Sequence, residues 1–259
     1  MTETAPTAQT APAAATAWRR VLSQGAFETR MILRNGEQLL VTIFLPVLVL
    51  VGLARSGGVE LSTGGAARID VVAPGVLALA VMSTAFTSQA IATSFDRRNG
   101  VLRLLATTPL GRGGLLAGKF LGVAAVEAVQ VVVIGGTALA LGWRPVAAGI
   151  PLALVALVLG TAAFISLALL VAGTLRAEAV LAGANLLLVL LAVGSGVVVP
   201  VSQLPGPLEH IARLLPSGAL GEALRGALLD GTLPAWSVVV LLAWTAVLAW
   251  AAARLFRWH

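Results

Sequence analysis

Long apolar stretches, separated by short polar segments, dominate the chain after residue 37. A helix needs about 20 residues to cross a hydrocarbon core of about 30 Å. Six stretches approach or exceed that length, at 38–54, 71–93, 114–142, 148–174, 178–200 and 233–255. The first is short and contains Pro46, whereas the third is long enough to tilt or to project from a bilayer. The pattern predicts an all-α membrane protein with six transmembrane helices in residues 37–259.

The N-terminal part of the chain has a different pattern. Residues 1–17 are rich in Ala, Thr and Pro and contain no Lys or Arg, which is typical of a disordered tail rather than of a signal peptide. Residues 18–36 alternate with a helical period, with one apolar face and one polar face that holds Glu28 and four arginines. Such an amphipathic helix can lie in the membrane interface. Phe27 and Met31 interrupt its polar face one turn apart, and this indicates either partial burial against another segment or contact with a partner protein.

The composition supports the membrane interpretation and excludes several kinds of site. The 259 residues are 58% hydrophobic and only 11% charged, whereas soluble domains contain about 25% charged residues. The chain has no cysteine, which excludes disulfides, thiolate metal sites and cysteine nucleophiles. It has two histidines, so a histidine metal centre is not expected.

The basic residues are distributed unequally between the two predicted sides of the membrane. Of the 17 basic residues, 12 lie on the side that holds the N-terminal helix, the 94–119 region and the C terminus. Because cytoplasmic segments are enriched in Lys and Arg, this distribution predicts that both termini are cytoplasmic. It also accounts for the net charge of +6 without a nucleic-acid partner.

One segment has the spacing of a phosphate-binding loop. Gly113, Gly118 and Lys119 follow the pattern G-x-x-x-x-G-K, but Phe120 stands where such a loop places the Ser or Thr that holds magnesium. The segment also leads into a membrane span rather than following a strand, so we reject nucleotide binding here. Gly118 and Gly122 form a G-x-x-x-G pattern that permits close helix packing. We expect Lys119 to extend its side chain toward the lipid headgroups.

The cytoplasmic loop at 94–113 carries the most informative pattern. Val101, Leu102 and Leu105 have helical apolar spacing, and Pro109 ends the predicted helix. A short amphipathic helix in such a loop is an ordinary interfacial feature. It is also what a membrane subunit needs in order to dock a motor protein.

The segment from Phe95 to Leu121, FDRRNGVLRLLATTPLGRGGLLAGKFL, resembles the core signature of the type-2 ABC transporter permease family. The matching positions are Arg97, Gly100, Leu102, Leu104, Leu105, Thr108, Pro109, Leu110, Arg112, Leu115, Leu116, Gly118 and Lys119. The sequence departs from the pattern with Asp96 near the usual Glu, Val101 for Thr and Arg103 for Glu. Residues 200–225, PVSQLPGPLEHIARLLPSGALGEALR, are similar to the family's outer segment, in which two short helices dip back toward the membrane between spans five and six.

The resemblance implies a non-catalytic membrane subunit of an ABC exporter. In that family two permease chains, identical or different, pair around a pathway, and two copies of a separate ATPase subunit bind beneath them. ATP and magnesium are then held by the ATPase, and this chain binds no cofactor or metal. The expected cargo is hydrophobic or amphipathic, such as a drug, an antibiotic or a lipid-like molecule, and the expected location is a bacterial inner membrane.

The resemblance also implies where the ATPase docks. The helix in the 94–113 loop corresponds to the family's coupling helix, and the resemblance implies that the N-terminal helix shares the same interface through its two apolar interruptions. The implied docking residues are Arg97, Arg98, Leu102, Leu105, Thr108 and Pro109, together with Phe27 and Met31.

Polar residues within the spans are candidates for the pathway or for the dimer interface. They are Gln89, Glu127, Gln130 and Asn185. A carboxyl group inside a membrane is costly and usually faces protein or water, so Glu127 is either functional or a protonated or hydrogen-bonded packing residue. The alternative function is a secondary transporter or channel driven by an ion gradient, with Glu127 as its proton site. An intramembrane enzyme is less well supported because no Ser–His or metal constellation is apparent.

Overall fold

The computed structural model describes residues 15–55, 65–197 and 200–256, and these ranges contain helices and turns but no strand. In chain order the helices are α1 (Ala17–Arg34), α2 (Leu40–Arg55), α3 (Arg68–Arg98), α4 (Val101–Ala106), α5 (Gly111–Ala140), α6 (Ile150–Thr174), α7 (Ala177–Gly194), α8 (Pro207–Leu214), α9 (Pro216–Arg225) and α10 (Ala235–Leu255). The predicted all-α class is confirmed. The predicted disordered tail at 1–17 lies almost entirely outside the described residues.

Five of the described helices are long and apolar enough to cross a membrane, namely α3, α5, α6, α7 and α10. The first predicted span corresponds to α2, which is apolar but shorter. The six-span count therefore stays a prediction. The predicted span at 178–200 is too long, because α7 ends at Gly194 and the chain turns at Gly196, which adopts a positive φ of 71°.

Helix α3 lies at the centre of the bundle and contacts α2, α5, α6, α7 and α9. Its most apolar window is 89% buried, whereas the corresponding windows of α7 and α10 are only 17% buried. A central π-helical turn, Met82–Ser88, widens α3 where it is fully enclosed. The apolar faces of α7 and α10 are thus left for lipid or for another membrane chain.

Helix α1 packs closely along the first half of α5. A Cβ atom at Gly122 would lie 2.6 Å from Cβ of Glu28, and one at Gly118 would overlap the side chain of Gln24. Only glycine permits this approach of the two helices. The close packing predicted from the G-x-x-x-G pattern is confirmed, and it fixes α1 to the bundle.

The two short helices of the outer segment, α8 and α9, are both present. Helix α9 is buried and packs against α3, α6 and α10, while the depth of either helix in the membrane stays a prediction. Arg225 donates hydrogen bonds to the carbonyl oxygens of Gly196 and Val197 and pairs with Glu222 at 2.7 Å. Burial lowers the pKa of the Arg225 guanidinium, whereas the charge of Glu222 and its hydrogen bond raise it. This network attaches the outer segment to the end of α7.

Candidate coupling site

The short helix that the sequence predicted within 94–113 is present as α4. The loop itself is shorter than predicted, because α3 continues to Arg98 and α5 begins at Gly111. Gly100 adopts a positive φ of 75°, which turns the chain from α3 into α4. At the other end, the hydroxyl groups of Thr107 and Thr108 donate to the carbonyl oxygens of Leu104 and Leu105, at 2.7 and 2.6 Å. The same two carbonyl groups also accept the backbone N–H groups of Thr107 and Thr108, so the C-terminal end of α4 is well defined.

Three arginines attach the segments on either side of α4 to other parts of the bundle. Arg97 donates to the carbonyl oxygen of Leu175, in the turn between α6 and α7. Arg98 pairs with Glu178, in the first turn of α7, at 2.6 Å. Arg20 of α1 donates to the carbonyl oxygen of Pro109 beyond the other end of α4. A displacement of α4 would therefore act directly on α1 and on the connection between α6 and α7.

The residues that α4 exposes are not all the residues that were predicted to form the docking surface. Leu102, one of the predicted docking residues, is 1% exposed and anchors α4 to the bundle. Leu104, which the sequence interpretation omitted from the docking set, is 69% exposed. Val101 and Leu104 are three residues apart and share the outer face, a helical spacing that would have identified the exposed side. Of the other predicted residues, Leu105 and Thr108 are half-buried and Pro109 is exposed.

Phe27 and Met31 lie on the outer surface of α1, where their side chains are 58% and 59% exposed. The described residues of the chain do not cover them, so the predicted alternative of partial burial against another segment is not observed. Contact with a partner protein stays a prediction for both residues.

Lys119 is buried within the bundle, and the prediction that it extends to the lipid headgroups was wrong. Its side chain is 2% exposed, and Nζ lies 3.0 Å from Oε1 of Glu28 and 3.2 Å from Oδ2 of Asp96. Gln24 donates a further hydrogen bond of 2.9 Å to Glu28. Glu28, which the helical pattern placed on the polar face of α1, is only 8% exposed because that part of the face packs against α5. This buried ion network joins α1, α3 and α5 beside the coupling helix.

Glu127 and Gln130, one turn apart on α5, face different neighbours. Oε2 of Glu127 accepts a hydrogen bond of 2.6 Å from Thr161 of α6. Gln130 donates to the hydroxyl of Thr84 at 2.7 Å and to the carbonyl oxygen of Thr42 at 2.5 Å, so it joins α5 to α3 and α2. Both side chains are buried within one chain, and their contacts hold neighbouring helices together.

The other two polar candidates lie apart from this pair. Gln89 is buried in α3, and its Oε1 atom has no hydrogen-bond partner within the described residues. Asn185 lies on the exposed face of α7 and donates to the carbonyl oxygen of Leu181 in its own helix. The four residues therefore do not form one cluster in a single chain.

Comparison with protein families agrees with this architecture. The family described as ABC-2 family transporter protein matches residues 60–254, which include α3 to α9, most of α10 and the coupling helix. No curated protein matches the chain in a parallel search. The family match covers most of the chain and confirms the resemblance found in the 95–121 signature. The chain belongs to the ABC-2 family, a family of type-2 ABC permeases, and is a multi-pass membrane subunit of a transporter.

Proposed function

We propose that this chain is the permease subunit of an ABC exporter and that α4 transmits force to it from a separate ATPase. The observation that carries the proposal is the way in which α4 is held against the bundle. One face exposes Leu104, the opposite face is held by buried Leu102, and the segments before and after α4 are bonded to the start of α7 and to α1. An exposed element fixed at both ends suits the transfer of a displacement from a partner to the bundle.

The mechanism follows from these attachments. Closure of an ATPase dimer beneath the membrane would displace α4. Arg97 and Arg98 would carry that displacement to the start of α7, and Arg20 would carry it to α1. If the ATPase binds one conformation of the permease more tightly, ATP binding shifts the population between inward-open and outward-open states.

The proposed assembly contains two permease chains and two ATPase chains, with ATP and magnesium held by the ATPase. The exposed apolar faces of α7 and α10 support contact with lipid and with the second permease chain, which is either an identical copy or a different chain. We place the assembly in a bacterial inner membrane, with α4 and both termini on the cytoplasmic side. Apolar spans favour a hydrophobic or amphipathic cargo of the drug, antibiotic or lipid-like class.

One observation favours a second candidate, a transporter driven by an ion gradient. Oε1 of Glu127 is buried without a hydrogen-bond partner within the described residues, and an intramembrane carboxyl group of this kind can carry a proton. The bond from Thr161 supports a packing role instead. The two functions differ in their energy source, and an experiment can separate them.

Docking at α4 can be tested by cross-linking, because the natural chain contains no cysteine. A Leu104→Cys variant, co-expressed with an ABC ATPase that co-purifies with the unaltered chain, is expected to cross-link to the ATPase through a short thiol-to-amine reagent. The reason is that Leu104 presents the most exposed apolar side chain of α4. The cross-linked product would be identified by mass spectrometry.

The matched control is Arg144→Cys, because Arg144 is also exposed but lies in the turn between α5 and α6, beyond the opposite end of α5. It is expected to give no cross-link to the ATPase. Equal cross-linking from both positions, or none from Leu104→Cys in a complex that co-purifies, would contradict docking at α4.

A further inference from the structure

A cavity of about 360 Å³ lies beside the coupling helix, enclosed by α3, α4, α5, α6 and the end of α10. Its walls are mostly apolar and include Leu102, Leu115, Leu169 and Ala252. The volume falls within the range of about 300–1,000 Å³ that is usual for small-molecule sites. All of these walls are supplied by a single permease chain.

One buried polar group on the wall has no partner. Thr93 is 1% exposed, and its hydroxyl makes no hydrogen bond with any described residue. Hydroxyl groups in membrane helices ordinarily bond to a carbonyl of their own helix, as Ser166 on the same wall does with Ala162. Burial of an unpartnered hydroxyl is unfavourable, and a bound molecule that hydrogen-bonded to Thr93 would remove that cost.

The charges around the cavity indicate what kind of molecule fits. Lys119 is the charged residue on the described wall, and its ammonium group is already paired with Glu28 at 3.0 Å and with Asp96 at 3.2 Å. The described wall therefore offers no unpaired charge to compensate the charge of a bound ion, and burial of an uncompensated charge is costly. An uncharged molecule needs no such partner.

We propose that this cavity binds an uncharged amphiphile, with an apolar body against the leucine and alanine walls and one hydroxyl or carbonyl group hydrogen-bonded to Thr93. Leu102 belongs to α4, so the bound molecule contacts the coupling helix. The site is present in the permease chain alone, and it does not depend on the ATPase or on the identity of the exported cargo.

The proposal is tested with the purified full-length chain and a long-chain primary alcohol that carries a diazirine, next to the fatty acid with the same chain and diazirine. The alcohol is expected to label peptides that contain Leu169 and Ala252 at least about fivefold more than the acid does. Thr93→Val, which keeps the shape of the side chain, is expected to weaken labelling about fivefold, the equivalent of one hydrogen bond of about 1 kcal/mol. Ala249→Leu, at an exposed wall position, should fill the cavity and abolish labelling.

The control is Ala243→Leu, an exposed position of α10 outside the cavity, which should leave labelling unchanged. Labelling in nanodiscs preloaded with the long-chain alcohol would indicate a bilayer source for the natural ligand. Labelling in detergent by a short, water-soluble diazirine alcohol would indicate a cytoplasmic one. The site would be excluded if neither probe labels these peptides, if the acid labels as well as the alcohol, or if Thr93→Val labels like the unaltered chain. The last criterion uses a near-isosteric variant, so the test does not depend on the folding of Ala249→Leu.

Discussion

Replacement of Lys119 by Met is expected to lower the free energy of unfolding by about 3 kcal/mol, because it leaves the carboxylates of Glu28 and Asp96 without their shared ammonium partner beside the α1–α5 contact. This loss of about 3 kcal/mol is at the lower end of the usual cost of breaking a buried ion pair, because the side chain of Asp96 is about one-third exposed and water screens its charge. The loss should appear as a lower Tm in detergent and as faster proteolysis of α1. Both can be measured with fluorescence-detected size exclusion and limited digestion.

Two comparisons separate this effect from a general effect of charge removal. Arg213→Met breaks an ion pair with Glu209 that is largely exposed, and it should cost less than about 1 kcal/mol. Adding Glu28→Gln to Lys119→Met removes one of the two unpaired carboxylates and should recover part of the Tm. A Lys119→Met chain as stable as Arg213→Met would show that the buried network contributes little.

The joint reversal Arg97→Glu/Arg98→Glu is expected to weaken binding of the ATPase by at least about tenfold, while membrane insertion and expression persist. The proposal places both arginines against the ATPase, where a surface that pairs with two positive charges would be repelled by two negative ones. The Kd can be measured by titrating labelled ATPase onto the permease in nanodiscs.

The matched control is Arg144→Glu, which changes an exposed charge at the opposite end of α5 and should leave the Kd unchanged. A second variant, Glu178→Gln, removes the intrachain partner of Arg98 and leaves both arginines in place. It should retain most of the affinity. If Glu178→Gln weakens binding as much as the double reversal, the arginines act by holding the loop and do not contact the ATPase.

Local patterns were sufficient for much of the fold. Apolar runs located the five long helices, because a membrane span is a property of consecutive residues. The G-x-x-x-G pattern at Gly118 and Gly122 correctly indicated close packing, since small residues at that spacing leave room for a neighbouring backbone. The short helix in the 94–113 loop followed from apolar spacing and from Pro109.

Contacts between distant residues could not be predicted in the same way. Lys119 was assigned to the headgroups because no sequence pattern connects it with Glu28, which the fold of α1 places beside it. Leu102 was assigned to the docking surface because apolar spacing gives a helix an apolar face without saying whether the bundle or a partner covers it. The C-terminal end of α7 was predicted several residues beyond Gly194, because the sequence remains apolar there. In the structure the helix ends at Gly194, and Arg225 donates to the carbonyl group of Gly196 that follows.

Transport energised by a separate ATPase is the central claim, and reconstitution tests it most directly. The permease is placed in vesicles with and without the ATPase, and movement of a lipophilic fluorescent dye is followed with ATP or with a pH gradient as the energy source. Transport should require both the ATPase and ATP hydrolysis, and it should persist in Glu127→Gln, because glutamine can still accept the bond from Thr161. Transport by the permease alone that follows the pH gradient and is lost in Glu127→Gln would contradict the claim and support an ion-driven transporter.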